Sequence, residues 1–303
     1  MAKNLVVILG PTASGKTELA ARLAGDLHGE IISADSRQVY RGMDIGTGKD
    51  LNQYIINAKK ISYHMIDIID PRCEFNLFEF QKMFYKIFSQ IQNEGNLPIL
   101  VGGTGLYLQA VLSGYKMPSA PPEPELRKDL DQKSIEEIKE MFSAFKSQLH
   151  NKTDLEDKQR LIRAIEIERA RNIKDFEQEE SPEIDALIFG ISWERSVLRQ
   201  RITSRLEERL KHGMIEEVIR LHAAGLSWER LDSFGLEYRY ISQHLQNLTS
   251  FDEMKNKLNT AIHQFAKRQE TWFRGMERKG IEIKWIQANE YDLLKESVMK
   301  LFP

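Results

Sequence analysis

The chain has 303 residues, with 43 lysines and arginines against 45 aspartates and glutamates, so its formal charge is −2. Apolar residues make up 41% and charged residues 29%, which supplies a sizeable core and excludes long disorder. The single cysteine, Cys73, excludes an intramolecular disulfide, and the charge balance excludes a surface that traps polyanions throughout, leaving room for a local basic cleft.

No apolar run approaches the ~20 residues of a membrane span, and no Cys/His cluster has zinc-site spacing. The N-terminus enters a strand-like run almost at once, without a signal-peptide pattern. A soluble, cytoplasmic protein of one large or two modest domains is the expectation.

Leu5-Val6-Val7-Ile8-Leu9 reads as a strand buried on both faces. It runs into Gly10-Pro11-Thr12-Ala13-Ser14-Gly15-Lys16-Thr17, a complete G-x-x-x-x-G-K-[ST] loop between a strand and a helix. In such a loop the closely wrapped backbone turns its N–H groups toward phosphate oxygens, and the helix N-terminus adds partial positive charge. Lys16 supplies a mobile cation, and the Thr17 hydroxyl suits a Mg²⁺ ligand. The loop predicts a bound phosphate ester, with a nucleoside triphosphate such as ATP as the default.

A second strand, Glu30-Ile31-Ile32-Ser33-Ala34, leads into Asp35-Ser36-Arg37-Gln38. Ligands of a doubly wound sheet bind at the carboxyl ends of its strands. Asp35 is therefore a candidate general base or water-mediated Mg²⁺ ligand, although Asp-Ser after a strand also caps turns. A glycine-punctuated loop continues through residues 41–49. Residues 63–68 read as a short strand ending in Asp67, with His64 a satisfied core or edge histidine. A helix is predicted over 78–92, then a strand at Leu97-Pro98-Ile99-Leu100-Val101 ending in Gly102-Gly103-Thr104-Gly105. Paired glycines there permit a close backbone approach, and the Thr104 hydroxyl can bond a phosphate or polar substrate; a tight structural turn is the plainer account.

Four prolines within residues 118–124 break any helix or central strand and mark a domain junction or strap. A charged helical stretch with an acidic excess follows, plain as a solvated surface, and contains Gln159-Arg160-Leu161-Ile162-Arg163-Ala164. Its apolar stripe includes Leu161, Ile162 and Ile165, with Arg160 and Arg163 on the other side. Residues 186–191 return the chain to the sheet, and long helices are predicted over 195–210 and 251–273, where basic residues exceed acidic ones. Arg201, Arg205 and Arg209 share one helix face, most simply as a solvated salt-bridge ladder with Glu207 and Glu208. Lys267-Arg268-Gln269-Glu270-Thr271-Trp272-Phe273-Arg274 suits phosphate contact with base stacking, or an amphipathic helix packing its aromatics inward.

The alternation of buried strands and helices predicts an α/β fold: a P-loop NTPase-like parallel sheet flanked by helices, with a helical insertion domain. The expected bounds are 1–115 with 186–303 for the sheet domain and its C-terminal helices, and 116–185 for the insertion.

Taken together, Gly10 to Thr17, the run 32–47, Val101 to Tyr107, Gln159 to Ala164 and Lys267 to Arg274 resemble the tRNA dimethylallyltransferases, or tRNA isopentenyltransferases, of bacterial type. The blocks occur in family order over nearly the whole chain. The resemblance implies transfer of a dimethylallyl group from dimethylallyl diphosphate to N6 of adenine 37 in tRNA, with Mg²⁺ as cofactor and the phosphate loop holding diphosphate rather than ATP. It makes Asp35 the base, with Lys16 and Thr104 at the reaction centre. It implies tRNA contacts at Asp35, Ser36, Arg37, Gln38, Thr104, Arg127, Gln159, Arg160, Leu161, Ile162, Arg163, Arg239, Lys267, Arg268 and Arg274, the insertion and sheet domain gripping the anticodon stem-loop, and action as a monomer.

The sequence departs from the family pattern where Gly46-Thr47-Gly48-Lys49-Asp50 stands for the usual Gly-Thr-Ala-Lys-Pro. It departs again where Glu237 replaces a glycine, and it shows no counterpart of the zinc finger of eukaryotic members. These differences bear on tRNA choice more than on chemistry. An adenylate prenyltransferase, a P-loop kinase and a non-catalytic tRNA-binding protein are the alternatives.

Overall fold

The computed structural model describes residues 3–117, 120, 122–145, 156–172 and 181–302. Two compact units emerge: Met1–Gly114 with Pro182–Pro303, and Tyr115–Ser181. Part of the proline strap, residues 118, 119 and 121, lies outside the described residues.

The larger unit begins with β1 (Leu5–Leu9), α1 (Lys16–Asp26) and β2 (Gly29–Ala34). A hairpin of β3 (Ile55–Ile56) and β4 (Lys59–Lys60) precedes β5 (Tyr63–His64), α2 (Leu77–Asn93), β6 (Leu97–Gly102) and α3 (Gly105–Leu112). The smaller unit contributes α4 (Pro124–Asp131), α5 (Ile135–Ser143) and α6 (Lys158–Asn172). The chain then adds β7 (Ala186–Ser192), α7 (Arg195–Lys211), α8 (Met214–Ala223), α9 (Trp228–Ser233), α10 (Leu236–Leu245), α11 (Phe251–Arg278), β8 (Lys284–Gln287) and α12 (Tyr291–Met299).

Six strands form one sheet in the order β5-β2-β6-β1-β7-β8, and every pairing is parallel. All five residues of β1 are buried, as a central strand covered on both faces requires. Val6 and Ile8 face a core shared with α1 and α12, whereas Leu5, Val7 and Leu9 face Phe80, Phe84 and Phe88 of α2 and Phe273 of α11. The sheet is the expected P-loop NTPase-like one, and β7 returns beside β1 with Val7 opposite Ile188. The connection from β1 runs to β2, while β7 lies on β1's other side, so the ends of β1 and β6 flank the topological switch where α/β sheets bind ligands.

Helices α7 to α11 build a second core in the larger unit around Leu206, Val218, Phe234, Tyr238 and Leu258. In the smaller unit Leu130, Ile138, Phe142, Leu161, Ile162 and Ile165 form their own core. Among the described residues no helix is long and apolar enough to cross a membrane.

Two sequence expectations need correction. The strand expected over 63–68 stops at His64, because Met65 and Asp67 adopt left-handed backbone. Asp67 then pairs with Lys49 instead of ending a strand at the cleft, and His64 is an edge histidine bonded through Nε2 to Glu30 at 2.7 Å. Leu161 and Ile162, expected among the RNA contacts, are 0% and 1% exposed in the small unit's core, so their side chains are spent on packing.

Candidate active site

The turn from β1 into α1 passes through left-handed backbone at Ala13 (φ 61°) and Gly15 (φ 86°), the curled path that gathers N–H groups into an anion-binding nest. Three side chains from the C-terminal half hold this loop from outside. Trp193 Nε1 donates to the Ser14 carbonyl at 2.8 Å, and Arg201 Nε donates to the Ala13 carbonyl at 2.9 Å. Gln269 of α11, nearly buried, accepts from Thr12 N at 2.8 Å and donates to the Gly103 carbonyl at 2.9 Å, tying the loop to the end of β6. A side chain on Gly103 would collide with Gln269, which is why glycine stands there.

The loop opens onto a cavity of about 1140 Å³ within the larger unit. Thr12 to Thr17, Asp35 to Gln38 and Thr104 line it, so the ends of β1, β2 and β6 meet as their positions in the sheet require. Arg268 joins them from α11. Gly10 and Pro11 are outside the lining, and a side chain on Gly10 would run into the Ser14 hydroxyl. Arg239 is exposed and donates to the Asp232 carbonyl at 3.3 Å; like Lys267 and Arg274, it is outside the cavity lining.

Asp35 Oδ1 accepts from Arg37 N at 2.8 Å and from Gln38 N at 3.3 Å, the turn cap foreseen as the plain reading. Its other oxygen, Oδ2, takes no hydrogen bond from the described residues, so the same carboxylate caps a turn and keeps an acceptor for the cavity. Thr104 Oγ1 accepts from Ser36 N at 3.3 Å, fixing the two strand ends to each other. Gln38 Nε2 donates to the Gly48 carbonyl at 3.0 Å, and its Oε1 accepts from Ser33 Oγ at 3.1 Å. Burial first, then the neighbouring Arg205 charge, lowers the Lys16 ammonium to about 8, with Asp35 acting against them.

The glycine-punctuated loop after β2 is pinned by buried charges. Glu217 of α8 accepts from Asp44 N and Ile45 N at 2.8 Å, from Gly46 N at 3.0 Å and from Tyr238 Oη at 2.8 Å. Lys49 is 1% exposed and donates to the Tyr40 carbonyl at 2.7 Å, to Asp44 at 2.8 Å and to Asp67.

Sequence reasoning misplaced the arginines of α7. Arg205 and Arg209 do not ladder with Glu207 and Glu208; they line the cavity and bind Asp50, at 2.7 and 3.1 Å, while Glu207 pairs with Lys255. Arg201 stacks its guanidinium 4.5 Å from the Trp193 ring centroid. Their i, i+4, i+8 spacing was the available signal, but it names a face without saying what the face meets. Glu237 and Phe265 also line the cavity, and burial pushes the Glu237 carboxyl up, against the pull of Arg209 and Arg205.

In the smaller unit Glu166 is the anchor. It accepts from Arg127 Nε at 2.7 Å, Arg127 Nη2 at 3.0 Å, Arg163 Nη1 at 2.8 Å and Glu123 N at 2.9 Å. Burial works to raise its carboxyl, yet the arginine and backbone hydrogen bonds prevail and hold it at about 2. Gln159 bonds Asp131 at 2.9 Å and Arg160 pairs with Asp157 at 3.5 Å, both exposed.

Among the described residues no group of three or more His, Cys, Asp or Glu side chains could hold a metal. The oxygen donors beside the loop, the Thr17 hydroxyl and the Asp35 carboxylate, suit a hard cation that draws its remaining ligands from substrate and water.

A family model described as IPP transferase matches residues 38–276. The chain is 55% identical over 299 residues to tRNA dimethylallyltransferase 1 of Syntrophus aciditrophicus, covering 98% of each protein. It is 53% identical over 297 residues to tRNA dimethylallyltransferase 1 of Geotalea uraniireducens, covering 98% of this chain and 96% of the relative. Its fold is similar to the crystal structure of the full-length tRNA isopentenylpyrophosphate transferase of Bacillus halodurans, with a TM-score of 0.72 and 29% identity over 99% of this chain and 97% of that one.

Proposed function

The chain belongs to the IPP transferase family, and from that membership we propose that it transfers a dimethylallyl group from dimethylallyl diphosphate to N6 of adenine 37 in tRNA, releasing diphosphate. The observation that carries this reading is a phosphate cradle in one cavity with a carboxylate oxygen that takes no hydrogen bond from the described residues. The exocyclic amine of adenine is a poor nucleophile because its lone pair is delocalised into the ring. Asp35 Oδ2 removes its proton as N6 attacks the allylic carbon. The C–O bond breaks toward the diphosphate, whose growing charge is met by Lys16, the amides of residues 13–17, Arg205 and Arg209.

The target base has to leave its stack to reach Asp35, and Ser36, Arg37, Gln38 and Thr104 surround its approach. Arg268 in the cavity, with Arg239, Lys267 and Arg274 outside it, supplies cations for the anticodon stem-loop backbone. Gln159, Arg160, Arg163 and Arg127 of the smaller unit supply further polar contacts. Thr17 would hold Mg²⁺, which when bound offsets diphosphate charge. Action as a monomer in the cytoplasm is part of this reading.

The decisive assay supplies radiolabelled dimethylallyl diphosphate and Mg²⁺ with either tRNA carrying A36-A37-A38 or free AMP. Label is expected in tRNA. Label entering only AMP, or neither acceptor, refutes the reading.

A further inference from the structure

Beside the phosphate loop, Arg205 and Arg209 form an ion-pair cluster with Asp50, a carboxylate to which the transfer chemistry assigns no role. One carboxylate oxygen, Asp50 Oδ2, takes hydrogen bonds from both Arg205 Nη2 and Arg209 Nη2. Two guanidiniums converging on one anionic oxygen is the arrangement they would adopt around a phosphate oxygen. Among the described residues Asp50 is the one acidic partner that either arginine has within ion-pair distance. Burial tends to raise the Asp50 carboxyl, but Arg209 and Arg205 overcome it and keep the group ionised.

The backbone presents this carboxylate by construction. Asp50 has φ 38°, in the left-handed region, whereas proline, usual at this position in the family pattern, is fixed near −65°. A side chain on Gly48, where the pattern usually has alanine, would run into both guanidiniums. Both departures in this loop therefore serve the same pair of arginines. The loop is also rigidly held, through Lys49, Gln38 and Glu217, so Asp50 is delivered to the arginines and is not a stray surface charge.

We propose that Asp50 is a built-in competitor for the anion: it occupies Arg205 and Arg209 in the empty cleft, yields them to the terminal phosphate of the donor, and retakes them as diphosphate leaves. This rests on the donor reading above. Two effects of Asp50 oppose each other. It orders the guanidiniums, which favours anion binding, and it both repels the anion and occupies its donors, which disfavours binding. Ordering is the smaller effect here because the Arg209 side chain is only 14% exposed and already confined. A full negative charge beside a polyanion in a cleft of reduced dielectric is the larger one. The consequence is weakened hold on the diphosphate product, in a site whose Lys16, Arg201, Arg205 and Arg209 would otherwise retain it.

The test is calorimetric binding of inorganic diphosphate, with Mg²⁺, to the full chain and to Asp50→Asn. Asparagine preserves the shape and tolerates left-handed backbone, so the loop is kept; Asp50→Gly repeats the test with no side chain at all. Both variants are expected to bind inorganic diphosphate about tenfold more tightly than the parent. Adding Arg209→Gln should remove most of that gain. Equal or weaker binding by both variants, or a gain that survives Arg209→Gln, overturns the proposal alone. If the parent and every variant fail to bind diphosphate, the donor reading falls with it.

Discussion

The Asp35 carboxylate divides its oxygens, Oδ1 serving the amides of Arg37 and Gln38 and Oδ2 taking no hydrogen bond from the described residues. Asparagine can keep the first role and cannot perform the second as a base. Asp35→Asn should therefore lower the single-turnover transfer rate about 10²–10⁴-fold while tRNA affinity is largely kept. Rapid-quench kinetics and filter binding measure the two separately, and a large binding loss with normal chemistry would reassign Asp35 to holding tRNA. The residue also shows where sequence was informative. Both readings of Asp35, cap and base, were open in Ala34-Asp35-Ser36; the geometry shows the cap and leaves Oδ2 for the base of the proposed transfer. The partners of Arg205 and Arg209 were not legible, because Asp50 lies 155 and 159 residues away from them in sequence. Local spacing favoured the adjacent glutamates instead.

At the scale of elements, α11 shows how one amphipathic helix divides its labour. Phe273 and Met276 enter the core, Gln269 stitches the phosphate loop to β6, and Arg268 turns to the cavity. Trp272 remains 38% exposed, so only one of the two aromatics packs inward as the amphipathic reading had both. Strands β1, β2 and β6 were readable as apolar runs, whereas β8 buries only Ile286 of its four residues and β5 has two, leaving too little pattern to detect. In the smaller unit, α6 joins α4 through Glu166, whose depressed carboxyl links stability to pH. Because the folded value of about 2 lies below the ordinary 4.5, the stabilisation is complete above about pH 4.5 and is lost as pH falls toward 2. Glu166→Gln should destabilise this unit by roughly 1–3 kcal/mol at neutral pH and flatten that acid dependence. Proteolysis within residues 115–181, followed from pH 7 to pH 3, measures it; an unchanged acid profile would mean the arginines find other partners.

For the whole molecule the net charge of −2 is a poor guide to what the protein binds. The mean conceals cations grouped in the cleft, Lys16, Arg201, Arg205, Arg209 and Arg268 among them, interleaved with carboxylates such as Asp35, Asp50 and Glu237, and exposed arginines elsewhere such as Arg160 and Arg274. Nucleic-acid affinity follows the phosphates neutralised locally, each releasing counterions, and not the total. Binding of tRNA should therefore weaken steeply with salt despite the acidic sum, with log Kd rising linearly against log salt concentration. Arg268→Ala and Arg160→Ala should each reduce that slope by about 1 if each meets one phosphate. Inorganic diphosphate provides the internal contrast, since it reaches the loop cations without either residue's contact to RNA. A tRNA slope near zero, or one unmoved by both substitutions, would place the RNA on other groups. A slope reduced by Arg268→Ala alone would confine the phosphate contacts among these two to the larger unit and remove Arg160 from the RNA-binding set.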